Sequence, residues 1–168
     1  MTDTPTAAPL DLPRLFHGGF AGLKVGDLIT PSPPRHIDGC VICAARARGE
    51  TYIAPGLGGI DPPTGRPDRV YLTSDREYGL FHASLAWYGD LYVVAPEGTV
   101  ERSEEDYFET WCAPAARILS VYTRAVQLTM PQRHRLFRRW GQLEAAAARA
   151  ARLAARAEKA ALAEDGLR

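Results

Sequence analysis

Three kinds of polar side chain stand out for their types and their neighbours. His17 follows Leu15 and Phe16 and precedes two glycines, Gly18 and Gly19. Tyr71 lies in the run Val-Tyr-Leu-Thr, which ends at Thr73, and carboxylates gather at Glu101, Glu104, Glu105 and Asp106. A histidine makes and breaks hydrogen bonds near neutral pH, a tyrosine offers a flat apolar face with a polar tip, and a carboxylate moves protons or stabilises positive charge. A further group is His36, Cys40 and Cys43. The two-residue gap between the cysteines lets two thiolates meet one tetrahedral metal, with His36 as a third ligand. A closed zinc site needs a fourth ligand, for which Cys112 or His82 would have to come from elsewhere in the fold. The competing reading of the cysteines is that they are ordinary buried or surface thiols.

The elements that must position these groups follow from periodicity and punctuation. Residues 14–17 read as a strand, and Gly18 and Gly19 let the backbone turn sharply or approach a ligand closely. Residues 23–29 read as a turn into a short apolar segment. The stretch 69–106 is the organising unit: a strand at 70–73, a helix at 75–87, a strand at 91–94, then a Pro-Glu-Gly turn and an acidic segment. Asp75 is placed to cap the helix, Glu77 stands in its first turn, and Tyr78, Phe81 and Leu85 form its apolar stripe. The bland reading of the acidic segment is a solvated turn. Residues 117–122 and 125–128 predict strands that close the sheet. Pro131 starts a helix reaching about residue 164, docked through Leu136, Phe137, Trp140 and Leu143 and otherwise rich in Ala, Arg and Glu. Between 31 and 68, seven prolines and six glycines exclude long regular elements, apart from a short helix at 41–48.

These readings give an α+β domain at 14–130, a flexible arm at 1–13, a Pro- and Gly-rich insert at 31–68 that carries the cysteines, and a C-terminal helix at 131–168. The 168 residues, 46% apolar and 24% charged, suit one soluble domain with an extension. There is no apolar run of the roughly 18 residues that a membrane span needs, and the first residues do not resemble a secretion signal, so the expectation is a cytoplasmic protein with no membrane partner. Three cysteines cannot all pair, which argues against a disulfide framework. The net charge of zero is divided. Up to residue 131 there are eleven Lys and Arg against sixteen Asp and Glu, and beyond it nine against four. The basic first turns of the last helix raise the possibility of contact with nucleic acid or protein, beside the simpler reading of a docked helix with a solvated extension.

The blocks LFHGGFAGLKVGDLITPS, RVYLTSDREYGLFHASLA and GDLYVVAPEGTVERSEED, in that order, resemble the three motif blocks of the small bacterial ADP-ribosyltransferases of the rifamycin-inactivating type. The resemblance covers roughly residues 14–128. It implies a compact pair of bent, split antiparallel sheets around a cleft for NAD, which serves as the substrate. It also implies a glycosyltransferase reaction that passes ADP-ribose to an acceptor and releases nicotinamide. The acceptor, whether an antibiotic-like small molecule, a protein or a nucleic acid, is not legible. His17, Gly18, Tyr71 and Thr73 then become NAD-binding candidates, with His17 at a ribose hydroxyl and Tyr71 stacked on nicotinamide. Glu104, Glu105 and Glu101 become candidates for the acid that stabilises the ribosyl cation, with Glu104 favoured. The chain departs from the family in its long insert and in having Glu101, Arg102, Ser103, Glu104 where those enzymes carry consecutive aspartates, which places Ser103 at or beside the expected acid. A zinc on His36, Cys40 and Cys43 would be structural, since the reaction needs no metal. The alternative is a non-catalytic module of the same fold that binds a nucleotide or a protein.

Overall fold

A computed structural model of the chain describes residues 12–31, 38–48, 50, 52–54, 58–60, 65–86 and 88–165. Its elements run β1 (Leu15–Gly19), β2 (Leu28–Ile29), α1 (Val41–Ala47), β3 (Tyr52–Ala54), β4 (Gly58–Ile60), β5 (Val70–Thr73), α2 (Arg76–Leu85), β6 (Asp90–Glu97), β7 (Glu101–Ser103), β8 (Thr110–Ala113), β9 (Ala115–Thr123) and α3 (Met130–Asp165). The fold is α+β. Seven strands form one antiparallel sheet in the order β2-β9-β6-β1-β5-β8-β7, and β3 and β4 pair separately.

The join between β1 and β5 is narrow. β1 pairs with β6 over five positions, from Leu15 with Val94 to Gly19 with Asp90. With β5 it shares one register pair among the described residues, Phe16 with Thr73. Among the described residues β1–β5 is therefore the narrowest strand pairing within the one seven-stranded sheet.

Alternation along the strands sorts the side chains into two cores. Leu15, Tyr92, Val94, Leu72, Trp111 and Ile118 pack together on one side. Phe16, Leu91 and Val93 pack against Ala83 of α2 on the other. Helix α2 lies so close to β1 that a Cβ on Gly18 would stand 2.1 Å from the carbonyl oxygen of Gly79. That contact, rather than a turn, is what the glycine at 18 permits.

Asp75 caps α2, its Oδ1 accepting from the Tyr78 N–H at 2.9 Å. Helix α3 docks beside it: Leu136, Tyr78 and Phe108 form a third cluster, flanked by Phe81 and Trp140. Arg139 donates to both Asp75 and Glu77, and Arg135 lies 3.0 Å from Glu77. Beyond these turns α3 leaves the body, and residues 141–159 are exposed throughout.

Several expectations change. The helix at 75–87 begins at Arg76 and ends at Leu85, and Leu85 is 60% exposed, so the stripe rests on Tyr78 and Phe81. Phe137, 51% exposed, touches α3's surroundings only at its edge, through Phe81. No strand forms at 125–128. Ala125 takes a left-handed φ of 48°, which breaks the extended chain, and its N–H donates to the buried carboxylate of Asp90 at 2.9 Å. Residues 101–103 are not a turn but strand β7, paired with a strand β8 that periodicity did not show. Leu12, expected in a loose arm, packs on the first core, while residues 1–11 lie outside the described residues.

Candidate functional site

Beside the short β1–β5 pairing a cavity of about 1110 Å³ opens, with His17, Gly18, Gly19, Tyr71, Thr73 and Glu105 among the residues of its wall. It slightly exceeds the usual size of a small-molecule site, roughly 300–1,000 Å³. His17 stands on β1 directly past the Phe16–Thr73 pair. Its Nδ1 lies 2.9 Å from the Tyr71 carbonyl oxygen. A carbonyl only accepts, so Nδ1 carries the proton and, in the neutral ring, Nε2 holds a free lone pair. Burial lowers the His17 pKa below the usual histidine range, against a smaller opposing effect of that hydrogen bond. The ring is thus neutral at physiological pH. It lies over Gly19, where a Cβ would stand 2.8 Å from Nε2.

Tyr71 is held at both ends. Its carbonyl takes the His17 proton, and its hydroxyl donates to Glu105 Oε1 while accepting from the Arg66 N–H at 3.0 Å. Burial, then the carboxylate of Glu105, raises the phenol pKa well above the ordinary tyrosine value, so it remains a donor. The other oxygen of Glu105 accepts from the Gly65 N–H at 2.8 Å. Glu105 therefore stands at the wall as an acceptor anchored by a loop N–H on one side and by Tyr71 on the other.

The remaining candidates separate. Glu104 is exposed and absent from the described wall. Glu101 is turned to Arg66 at 2.8 Å and Arg69 at 3.4 Å, and the Arg66 pair holds its carboxyl below the usual range. Ser103 is buried on β7, its Oγ accepting from the Glu105 N–H at 3.3 Å. The serine thus supports the loop that presents Glu105. Thr73 reaches the wall, yet its hydroxyl is engaged twice: it donates to the Glu109 carbonyl at 2.9 Å and accepts from the Asp75 N–H at 3.0 Å. It secures the start of α2.

The wall also holds Tyr78, Asp106 and Trp140, which the sequence reading did not place in a site, and His82, which it considered only as a zinc ligand. Tyr78 and His82 are four apart on α2 and meet edge to face with centroids 4.6 Å apart, a pairing that helical spacing could have signalled. The Tyr78 phenol is raised by burial and by its hydrogen bond to Asp106, and burial lowers the His82 pKa. Trp140 comes from α3, and nothing local in the sequence connects it to this wall.

Cys40 and Cys43 stand at the start of α1, where the Cys43 N–H donates to the Cys40 sulfur at 3.5 Å. This bond lowers the Cys40 pKa. Cys112 is buried on β8 opposite Tyr71 of β5, and burial raises its thiol. His36 lies outside the described residues, and among those described no group of three or more His, Cys, Asp or Glu could hold a metal. Nor is there, among them, a helix long and apolar enough to cross a membrane. Compared with known proteins, the chain matches no family model and no curated protein.

Proposed function

We propose that the chain is an NAD-dependent mono-ADP-ribosyltransferase with a split-sheet fold of the kind its motif blocks resemble. The observation that carries this reading is the convergence of His17, Tyr71 and Glu105, from three separate segments, on the wall of one cavity beside the β1–β5 pairing.

In this reading the neutral His17 offers Nε2 as an acceptor to a ribose hydroxyl. The Tyr71 ring packs on nicotinamide. As the bond between nicotinamide and the ribose anomeric carbon breaks, its electron pair goes to the nicotinamide ring nitrogen and the ribose becomes an oxocarbenium ion. The Glu105 carboxylate lowers the barrier by facing that positive charge, the kind of fixed electrostatic contribution that dominates many catalytic sites. The lone pair of an acceptor hydroxyl or amine then forms the new bond to the anomeric carbon, and its proton passes to Glu105 as general base. Glu105 replaces Glu104 as the acid of choice, because its carboxylate is at the wall and is anchored there.

The test is to incubate the protein with NAD and follow nicotinamide release, alone and with candidate hydroxyl- or amine-bearing acceptors. Release that depends on Glu105 supports the transferase. NAD binding with no turnover under any acceptor marks the alternative, a binding module without catalysis.

A further inference from the structure

The outward side of α3, from its docked turns into the part that leaves the body, carries a line of unpaired cations. Taking about 100° of rotation per residue, Arg138, Arg149 and Arg156 fall within about 20° of one line along the helix, and Arg152 and Lys159 flank it by about 40° and 60° on one side. Leu136 and Trp140, which dock the helix, lie on the opposite side, about 160° away in either direction. All five basic residues are exposed, and among the described residues none has an ion-pair or hydrogen-bond partner. This differs from Arg135 and Arg139 on the docked turns, which are taken up by Glu77 and Asp75.

Such a face is unfavourable on its own. Arg149 with Arg152, Arg152 with Arg156, and Arg156 with Lys159 are like-charge neighbours three or four apart, which destabilise an isolated helix by a few tenths of a kcal/mol each. Glu144 and Glu158 lie on other sides of the helix and relieve none of them. An anionic partner along the line turns this repulsion into attraction.

We infer that the exposed length of α3 is an arm that binds the phosphate backbone of double-stranded DNA, independently of the cavity. From Arg138, on the exposed side of the docked turns, to Lys159 the cations extend about 30 Å along a straight rod at a rise of about 1.5 Å per residue, close to one helical turn of a duplex. Its other sides are mostly alanine, slim enough for an α-helix to lie along the B-form major groove, whereas the A-form RNA groove is too narrow. A bilayer surface fits less well, because insertion needs a bulky apolar face. Leu143, Leu153 and Leu162, the large apolar residues beyond the docked turns, sit on three different sides. The acidic body, with sixteen carboxylates against eleven cations up to residue 131, is repelled by the same duplex and leaves the arm as the contact.

Fluorescence anisotropy of a labelled mixed-sequence DNA duplex with the full chain, between 50 and 200 mM salt, tests this. Binding should weaken with a log–log salt slope of roughly −4, near −0.9 for each of about five phosphates. The triple variant R149Q/R152Q/R156Q, whose glutamines keep helix propensity, should retain its circular dichroism, bind at least about tenfold more weakly at 50 mM salt and lose roughly three units of slope. Lys24→Gln, an exposed cation on the body, should change nothing. The inference is overturned by absence of binding at 50 mM salt, by unchanged binding in the folded triple variant, by preference for duplex RNA, or by capture of phosphatidylserine vesicles without duplex binding.

Discussion

The hydroxyl of Tyr71 donates to the carboxylate of Glu105 across 34 positions of sequence, and the same carboxylate accepts the N–H of Gly65. Of the three glutamates expected to supply the acid, this geometry singles out one. In the proposed transferase, Glu105→Gln should keep the shape and most NAD affinity while removing the charge, and nicotinamide release should fall by about 10²-fold or more. Glu104→Gln should stay within about twofold of the parent, since its side chain is in solvent. Steady-state nicotinamide release for both variants decides between them, and equal losses would remove Glu105 from the mechanism.

Tyr71 contributes a ring and a hydroxyl that can be separated. Tyr71→Phe keeps the face expected to stack on nicotinamide but releases Glu105, so kcat should drop more than KM rises. Tyr71→Ala removes the face and should weaken NAD binding by about fivefold, in line with about 1 kcal/mol for an aromatic contact. Calorimetric titration of NAD into each variant reads the difference.

Two histidines of the cavity wall make stability depend on pH. The pKa values of His17 and His82 are both lowered, chiefly by burial, so in the folded chain each takes its proton below the unfolded value of about 6.5. The unfolded state therefore binds more protons in that window, and stability is full above about pH 6.5 and declines as the pH falls through the folded pKa values. Urea midpoints should be lower at pH 5.5 than at pH 7.5. His82→Gln should flatten part of that decline, and an unchanged slope in the variant would assign the effect elsewhere.

The start of α3 belongs to the body and the rest does not. Leu136, 2% exposed among Tyr78, Phe108 and Trp140, should cost about 2–4 kcal/mol when changed to Ala. A chain ended after Pro131 loses this cluster and the partners of Asp75 and Glu77, and should unfold at markedly lower urea. One ended after Glu144 keeps them and should melt within a few degrees of the full chain. Thermal melts of the two truncations test the division.

The thiols should react in order. With its pKa lowered by the Cys43 N–H, Cys40 should be alkylated by iodoacetamide at pH 7 well before the buried Cys112, which should react only on unfolding. Mass spectrometry of peptides over a time course resolves the two. Protection of both Cys40 and Cys43, with about one zinc per chain by elemental analysis, would place a structural metal on the cysteine pair.

Local chemistry alone determined much of this protein. The alternation at 70–73, the aspartate that caps α2, the Pro131 start of α3 and the alanine-rich course that follows are consequences of backbone sterics and neighbours within four residues, and all are present in the fold. The strand at β8 and the break at Ala125 were decided at long range. All four β8 residues are buried, so no alternation marks it, and Ala125 adopts its left-handed turn because a carboxylate 35 residues away, on β6, takes its N–H. The site divides in the same way. His17 and Tyr71 were legible as residues, because a His before two glycines and a Tyr in a strand have local signatures. The choice of Glu105 over Glu104 was not. Adjacent acids in one loop are equivalent in sequence, and only the N–H of Gly65, the hydroxyl of Tyr71 and the support of Ser103, brought together from three elements, select which carboxylate faces the cavity.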